Sequence, residues 1–301
     1  MDAWIPITIA AAFFQNLRSA LQKHLKGRLS TTGATFSRFA YAAPLALLYL
    51  LALVQFSGED LPRPNSTFLG YAVVGGLAQI TATALLLYSF SFRNFAVGTT
   101  YSKTETVQTA IFGIVILGDP LGLGAAAAIV ISLIGVMAIS VARTRISLLG
   151  LLASLAEKPA LVGIASGAFF GLSAISYRGG SLSLGDHGFL IRAAYTLACV
   201  TVFQTLVMAA YMRLREPGQV TAVFRAWRVS AWAGITGMIA SACWFTAMTI
   251  QNAAYVRALG QIELVFTFAA SILLFHEWPN RTEVIGILLV IVGILLLLLL
   301  H

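Results

Sequence analysis

Six ionisable or amide side chains stand inside two apolar stretches: Lys103, Glu105 and Gln108 in one, Arg257, Gln261 and Glu263 in the other. A charge held in hydrocarbon costs several kcal/mol, about 2.5–3.5 on insertion scales, so each is a functional hypothesis by default. On a helix, Tyr101, Glu105, Gln108 and Phe112 follow i, i+4, i+7, i+11 spacing and share a face. That face offers a carboxylate to an ammonium group and rings to an aromatic one. Lys103 points roughly 160° away from Glu105 at helical pitch. Arg257 and Gln261 share a face, with Glu263 turned onto the stripe of Gly260 and Thr267. Three chemistries are open to Glu105 and Glu263. They bind and release a coupling proton, line a cavity for substrate, or pair with Lys103 and Arg257 to hold helices together.

Other chemistries lack their residues. The four histidines, His24, His187, His276 and His301, all fall near loops or ends. No His-Glu-x-x-His, Gly-x-Ser-x-Gly or phosphate-binding Gly-x-x-x-x-Gly-Lys-Ser/Thr motif is present, so neither an enzyme nor an ATP-driven pump is expected. Cys199 and Cys243 lie in apolar runs as packing residues, with no spacing for zinc or a disulfide framework. No cofactor or metal is expected. A channel is distinguished from a carrier by flux that does not saturate.

The elements that must hold these residues follow from composition. Of 301 residues, 59% are hydrophobic and 10% charged, far from the roughly 25% charged residues of a soluble domain. The net charge of +8 resides in short loops between apolar runs, which excludes a nucleic-acid-binding face. Ten apolar segments are expected to cross a bilayer as helices: Trp4 to Leu21, Gly33 to Phe56, Phe68 to Phe90, Phe95 to Leu117, Leu121 to Val141, Leu161 to Tyr177, Gly188 to Met212, Val229 to Ile250, Ala253 to Phe275 and Val284 to Leu300. The first, without a preceding basic region, is read as a permanent helix rather than a cleaved signal. Turn chemistry separates the spans, as at Leu61-Pro-Arg-Pro-Asn65 and Gly118-Asp-Pro120.

Loop charge alternates. The loops after the odd-numbered spans carry Lys23, Lys26, Arg28, Arg93, Arg143, Arg145, Lys158, Arg213, Arg215, Arg225, Arg228 and Arg281; the others carry Arg63 and Arg178. The positive-inside rule puts the basic loops in the cytoplasm and both termini outside. The halves also resemble each other. A shift of 158 residues brings Glu105 onto Glu263, Asp119 onto Glu277, Gly135 onto Gly293 and Asn94 onto Asn252; shifts of 154 and 156 bring Arg38-Phe-Ala-Tyr41 onto Arg192-Ala-Ala-Tyr195 and Phe13-Phe14 onto Phe169-Phe170. Five spans per half invert the second half, the plan of many secondary transporters. The expected organisation is one all-helical membrane domain of two inverted five-helix repeats, residues 1–145 and 160–301.

The remaining polar and aromatic residues fit a central cavity. Gln15, Asn16 and Arg18 need a wet cavity or a partner helix, because lipid would not solvate them. Arg38 and Arg192 are read as snorkelling or capping residues. Trp4, Trp227, Trp232 and Trp278 lie near span ends, as interfacial belts do, whereas Trp244 is in mid-span. Phe13, Phe14, Phe169, Phe170, Tyr88, Tyr177 and Trp244 are candidates for an aromatic lining suited to bulky amphipathic molecules, against the alternative of core or lipid packing. Glycines such as Gly98, Gly167, Gly171 and Gly237 permit close helix contact.

These residues resemble the drug/metabolite transporter superfamily, in its ten-helix EamA-type branch. The resemblance rests on Phe36-Ser-Arg38-Phe39-Ala-Tyr41 opening the second span, on Thr104-Glu105 through Gly113, on Leu117-Gly118-Asp119, and on the second copies Gln261-Ile-Glu263, Phe275-His-Glu277 and Val292-Gly293. In place of the family's Gly-Glu loop pair stand Gly118-Asp119 and His276-Glu277. The resemblance implies a multi-pass protein of the inner (plasma) membrane that exports amino acids or related small molecules. The narrowest expectation it carries is an aromatic amino-acid exporter of the YddG type. It also implies that spans 1–4 and 6–9 surround the cavity, with spans 5 and 10 peripheral, and a monomer or weak homodimer in the bilayer. Family members usually keep both termini in the cytoplasm, the reverse of the loop-charge reading.

Overall fold

A computed structural model describes residues 3–25, 29–92, 95–142, 148–275 and 280–300. Every regular element among them is helical. The helices are α1 (Trp4–Leu25), α2 (Thr31–Ser57), α3 (Ser66–Ser89), α4 (Phe95–Ser102), α5 (Glu105–Phe112), α6 (Leu123–Val141), α7 (Leu148–Ala153), α8 (Lys158–Leu182), α9 (Phe189–Arg215), α10 (Gln219–Arg225), α11 (Trp227–Ile250), α12 (Ala253–Leu259), α13 (Ile262–Phe275) and α14 (Arg281–Leu300). A π-helical turn, Gly113–Leu117, extends α5 and ends at Gly118 in the left-handed region (φ 68°).

Seven of these, α2, α3, α6, α8, α9, α11 and α14, are long and apolar enough to cross a membrane. The expected fourth and ninth spans are each broken in two, at residues 103–104 and 260–261. The first expected span, α1, is a single helix of 22 residues carrying Gln15, Asn16 and Arg18.

Element lengths repeat along the chain. α2 and α9 have 27 residues each, and α3 and α11 have 24 each. The start of α6 at Leu123 corresponds to that of α14 at Arg281, and α4 at Phe95 to α12 at Ala253, by the same shift. In this register the Arg38–Arg192 match read from sequence is a turn out of step. Arg38 lies seven residues past the first residue of α2, but Arg192 only three past the first of α9.

The chain packs as two compact units that cut across the sequence halves: residues 1–77 with 176–250, and residues 78–175 with 251–301. α3 and α8 each contribute residues to both units, with the divisions at 77/78 and 175/176. In the first unit α1 packs on α11, and α2 on α9 and α11. α2 starts at Ser30, whose hydroxyl accepts from Gly33 N, and stops at Gly58 (φ 70°). Its core gathers Phe68, Tyr177, Leu197 and Phe245. Ser30 Oγ donates to Glu216 (2.6 Å), tying the α1–α2 junction to the end of α9. At the opposite end of α2, Glu59 accepts from Gly188 N (2.8 Å) at the start of α9. Trp4, expected in an interfacial belt, is instead buried (2% exposed) and Trp227 and Trp232 are exposed.

In the second unit α6 crosses α14 through glycine. A methyl at Gly135 would lie 2.6 Å from Gly286 O, and one at Gly293 would lie 2.8 Å from Ser132 Cβ. Only small residues allow backbones this close. The opposite faces, with Val130, Ile134, Leu288 and Leu295, are exposed and apolar. Lys26, Arg28, Arg93, Asn94, Arg143, Arg145, His276, Glu277, Trp278 and His301 lie outside the described residues.

Candidate functional site

The breaks in the fourth and ninth spans arise from different sequence and reach the same result. Before the first, Ser102 Oγ bonds Thr99 O and Thr104 Oγ1 bonds Tyr101 O, at 2.8 and 2.6 Å. Hydroxyls that take helix carbonyls compete with the i→i+4 ladder. The backbone there shifts to three-residue bonds, Lys103 N to Thr100 O and Thr104 N to Tyr101 O. In the second copy Gly260 weakens the helix, and Gln261 N and Glu263 N again bond three residues back.

Each break opens a new helix whose first turn holds a glutamate, Glu105 in α5 and Glu263 in α13. The free N–H groups of a helix start favour a carboxylate by about 0.3–1 kcal/mol. Each glutamate also pairs with a cation of the other sequence half. Lys103 Nζ lies 3.3 Å from Glu263 Oε1, and Arg257 Nε lies 3.1 Å from Glu105 Oε1. The Arg257 and Glu105 side chains are 16% and 20% exposed. Gln261 Nε2 donates to Thr106 Oγ1 (3.1 Å), and Gln108 Nε2 donates to Ile164 O (3.3 Å). The side-chain oxygens of both glutamines are buried and accept no hydrogen bond among the described residues.

The first break lies against a glycine stripe on α8. A methyl at Gly167 would stand 2.9 Å from Ser102 O and 3.2 Å from Glu105 N, and one at Gly171 would stand 3.0 Å from Thr109 Oγ1. Gly163 meets Gly98 backbone to backbone. The stripe thus receives the irregular backbone, which hydrocarbon would not tolerate.

The break undoes the single face expected for Tyr101, Glu105, Gln108 and Phe112. Tyr101 is buried with Val97, Val141 and Leu151, and its hydroxyl donates to Leu151 O (2.7 Å). It is a core residue. Tyr88 lies at the end of α3, edge-on to Phe92 and near Lys158 Nζ. Phe169 is 36% exposed on α8, beside the half-buried Phe170.

The first unit holds a separate polar group. Trp244 Nε1 donates to Gln15 Oε1 (3.0 Å), so the mid-span tryptophan is held from α1. Arg18, one turn on from Gln15, is only 9% exposed. A methyl at Gly237 of α11 would lie 3.1 Å from Arg18 Cδ and 3.5 Å from Arg38 Cγ. Arg38 also stacks on Phe39, 4.7 Å from the ring centre. Asn16 is half-buried, whereas Phe13 is 52% exposed and edge-on to Phe14. Arg192 lies half-buried in the first turn of α9.

Tyr177 is buried and stacks on Phe245 at 4.5 Å. Its hydroxyl donates to Gly75 O (3.0 Å) and accepts from Gln204 Nε2 (3.2 Å). Gln204 and Thr106 are absent from the residues singled out by sequence. Gln204 had a signal, an amide inside the apolar seventh span; Thr106 had none.

The profile of the EamA-like transporter family matches residues 2–141 and 158–299, one copy in each half. No curated protein sequence matches the chain. A solved structure titled only as the crystal structure of a protein is similar, with a TM-score of 0.71 at 14% identity over 99% of this chain and 98% of that one. At that identity the likeness speaks for the fold alone.

Proposed function

The chain belongs to the EamA-like transporter family, and from that premise we propose that it exports amino acids, large neutral and aromatic ones foremost, with related small metabolites, by alternating access. That it is a multi-pass membrane transporter follows from the family and from its apolar helices. The observation that carries the finer reading is the pair of helix breaks at matching positions of the two copies. Each has a glutamate in the first turn after it, ion-paired to a cation of the other half. Discontinuous helices with charged ends are the devices by which repeat-built transporters hold polar groups at membrane depth. In this reading the second copy is inverted, the basic loops face the cytoplasm of a bacterial-type inner membrane, and ten spans cross it. Glu105, Glu263, Lys103, Arg257, Gln108 and Gln261 are the switching group, whose pairs exchange as access alternates.

Counterflow in proteoliposomes tests this. Vesicles are loaded with one unlabelled amino acid per sample, and tracer uptake is followed. Saturable exchange with Phe, Tyr, Trp or Met is expected, reduced at least tenfold in Glu105→Gln. No exchange with any amino acid overturns the substrate class. Flux that rises linearly with concentration overturns the carrier.

A further inference from the structure

Residues 216–226 turn the chain from α9, which ends at Arg215, into α11, which starts at Trp227. The only helix between them, α10, rises about 10 Å at 1.5 Å per residue, far short of a hydrocarbon core of about 30 Å. Both helix ends therefore lie on one side of the bilayer. α10 packs on α2, α9 and α11, with Val223 buried and Phe224 and Arg225 exposed.

At this end the two spans present the same arrangement in opposite chain directions. On α9, Tyr211 precedes Arg215 by four residues; on α11, Arg228 precedes Trp232 by four. Residues four apart share a helix face, and all four are exposed. Because α9 arrives at this end and α11 leaves it, each arginine stands at the rim with its ring about 6 Å deeper. The charged group itself is placed on α11. The Arg228 guanidinium carbon lies 5.8 Å from the centre of the exposed Trp227 ring, within cation–π reach.

An arginine above an aromatic ring, on an exposed span end, matches a phospholipid in order of depth. The planar guanidinium takes phosphate oxygens bidentately, and the rings suit the layer just beneath. They offer the acyl end of a lipid an apolar surface that a soluble phosphate would not use. Charge selects the lipid class. Arg213, Arg215, Arg225 and Arg228 are all exposed at this end. The one carboxylate of the same link, Glu216, accepts from Ser30 Oγ (2.6 Å). At the opposite end, where Glu59 meets Gly188 N, the loops carry Glu59, Asp60 and Asp186 against Arg63. Cations clustered beside a span attract anionic headgroups, whereas a zwitterionic headgroup brings a cation of its own.

We propose that Arg215 and Arg228, with Tyr211, Trp227 and Trp232, bind the headgroup of an anionic phospholipid at the α9–α11 end of the first unit. The inference needs only a multi-pass membrane protein and does not depend on what the chain transports.

The test is tryptophan quenching of the full chain in phosphatidylcholine nanodiscs. The discs carry dibrominated phosphatidylglycerol or dibrominated phosphatidylcholine at the same mole fraction. Bromine quenches a ring only at close range, and both leaflets have one composition, so the readout depends on neither transport nor orientation. The quenching lost in Trp232→Phe belongs to Trp232. That part is expected to be about threefold larger with the brominated phosphatidylglycerol, and to fall to the phosphatidylcholine level in Arg228→Gln. Arg228→Lys keeps the charge but not the fork. It is expected to retain about half of the excess, and covers the case in which Arg228→Gln does not fold. Equal quenching by the two lipids in the wild type, or a wild-type excess in either variant, overturns the headgroup contact. Arg213→Gln removes a charge from another face of the same end and is expected to leave the excess near wild type. An equal loss there means a diffuse surface potential and overturns the site. Loss of the excess on adding glycerol phosphate at constant ionic strength assigns the arginines to a soluble phosphate ester and overturns the lipid.

Discussion

Arg257 Nε lies 3.1 Å from Glu105 Oε1, although the two residues come from opposite halves of the chain, Arg257 before the break in its span and Glu105 after the break in its own. The pair is largely shielded from solvent, and so is its counterpart Lys103–Glu263 at Glu263. Removing one member leaves a poorly solvated charge, which costs about 3–5 kcal/mol when fully buried, and less here because each side chain keeps some exposure. Glu105→Gln and Arg257→Gln should each destabilise the protein more than the double substitution does. A double-mutant cycle on thermal stability should return a coupling of about 1–3 kcal/mol. Strict additivity would refute the pairing. The exchange Lys103→Glu with Glu263→Lys should keep the fold better than either single change.

Gly167 gives a steric prediction. A methyl there meets Ser102 O and Gln108 Oε1 at 2.9 Å, and backbone cannot give way as a side-chain tip does. Gly167→Ala should cost about 1–3 kcal/mol, read as a lowered Tm, and should lower counterflow by displacing the break. Gly122→Ala meets nothing within 4 Å and serves as the control, with a Tm near wild type. Equal Tm values for the two variants would show that α8 does not press on the break.

What the sequence discloses here depends on the scale of the physics. Long apolar runs announce spans such as α6 and α14, because bilayer thickness sets one requirement for all of them. The ion pairs were legible as one of three options, since Lys103 and Arg257 had carboxylates nearby in the repeat register. The breaks were not. Thr99 to Thr104 contains neither proline nor glycine, and its hydroxyls bond helix carbonyls only once a neighbour accepts the irregular turn. Tyr101 escaped for the same reason: the shared face assumed a continuous helix. The convergence of Arg18 and Arg38 on Gly237 is a tertiary fact, set by how α1, α2 and α11 cross.

The Trp244–Gln15 hydrogen bond predicts an ordered pair of variants. Trp244 is 8% exposed, whereas Gln15 is half-buried. Gln15→Leu withdraws the acceptor from a buried indole N–H, at about 1–3 kcal/mol. Trp244→Phe withdraws the donor from an oxygen that water reaches more easily, and keeps most of the ring packing. Gln15→Leu should therefore lower the Tm more than Trp244→Phe, and should shift the Trp244 fluorescence. The reverse order would mean that ring volume, not the hydrogen bond, holds α1 on α11.

Orientation follows from which loops share an end. Ser30 bonds Glu216 at one end of the first unit, and Glu59 bonds Gly188 N at the other. Asp60 and Pro217 are both exposed and mark these opposite ends. The basic residues beside Pro217 should be retained in the cytoplasm by the positive-inside rule. In a background with Cys199→Ser and Cys243→Ser, Asp60→Cys should react with a membrane-impermeant maleimide added to intact cells. Pro217→Cys should react only after the membrane is opened. The inverse pattern would place both termini in the cytoplasm and would mean that loop charge misreports the topology of this chain.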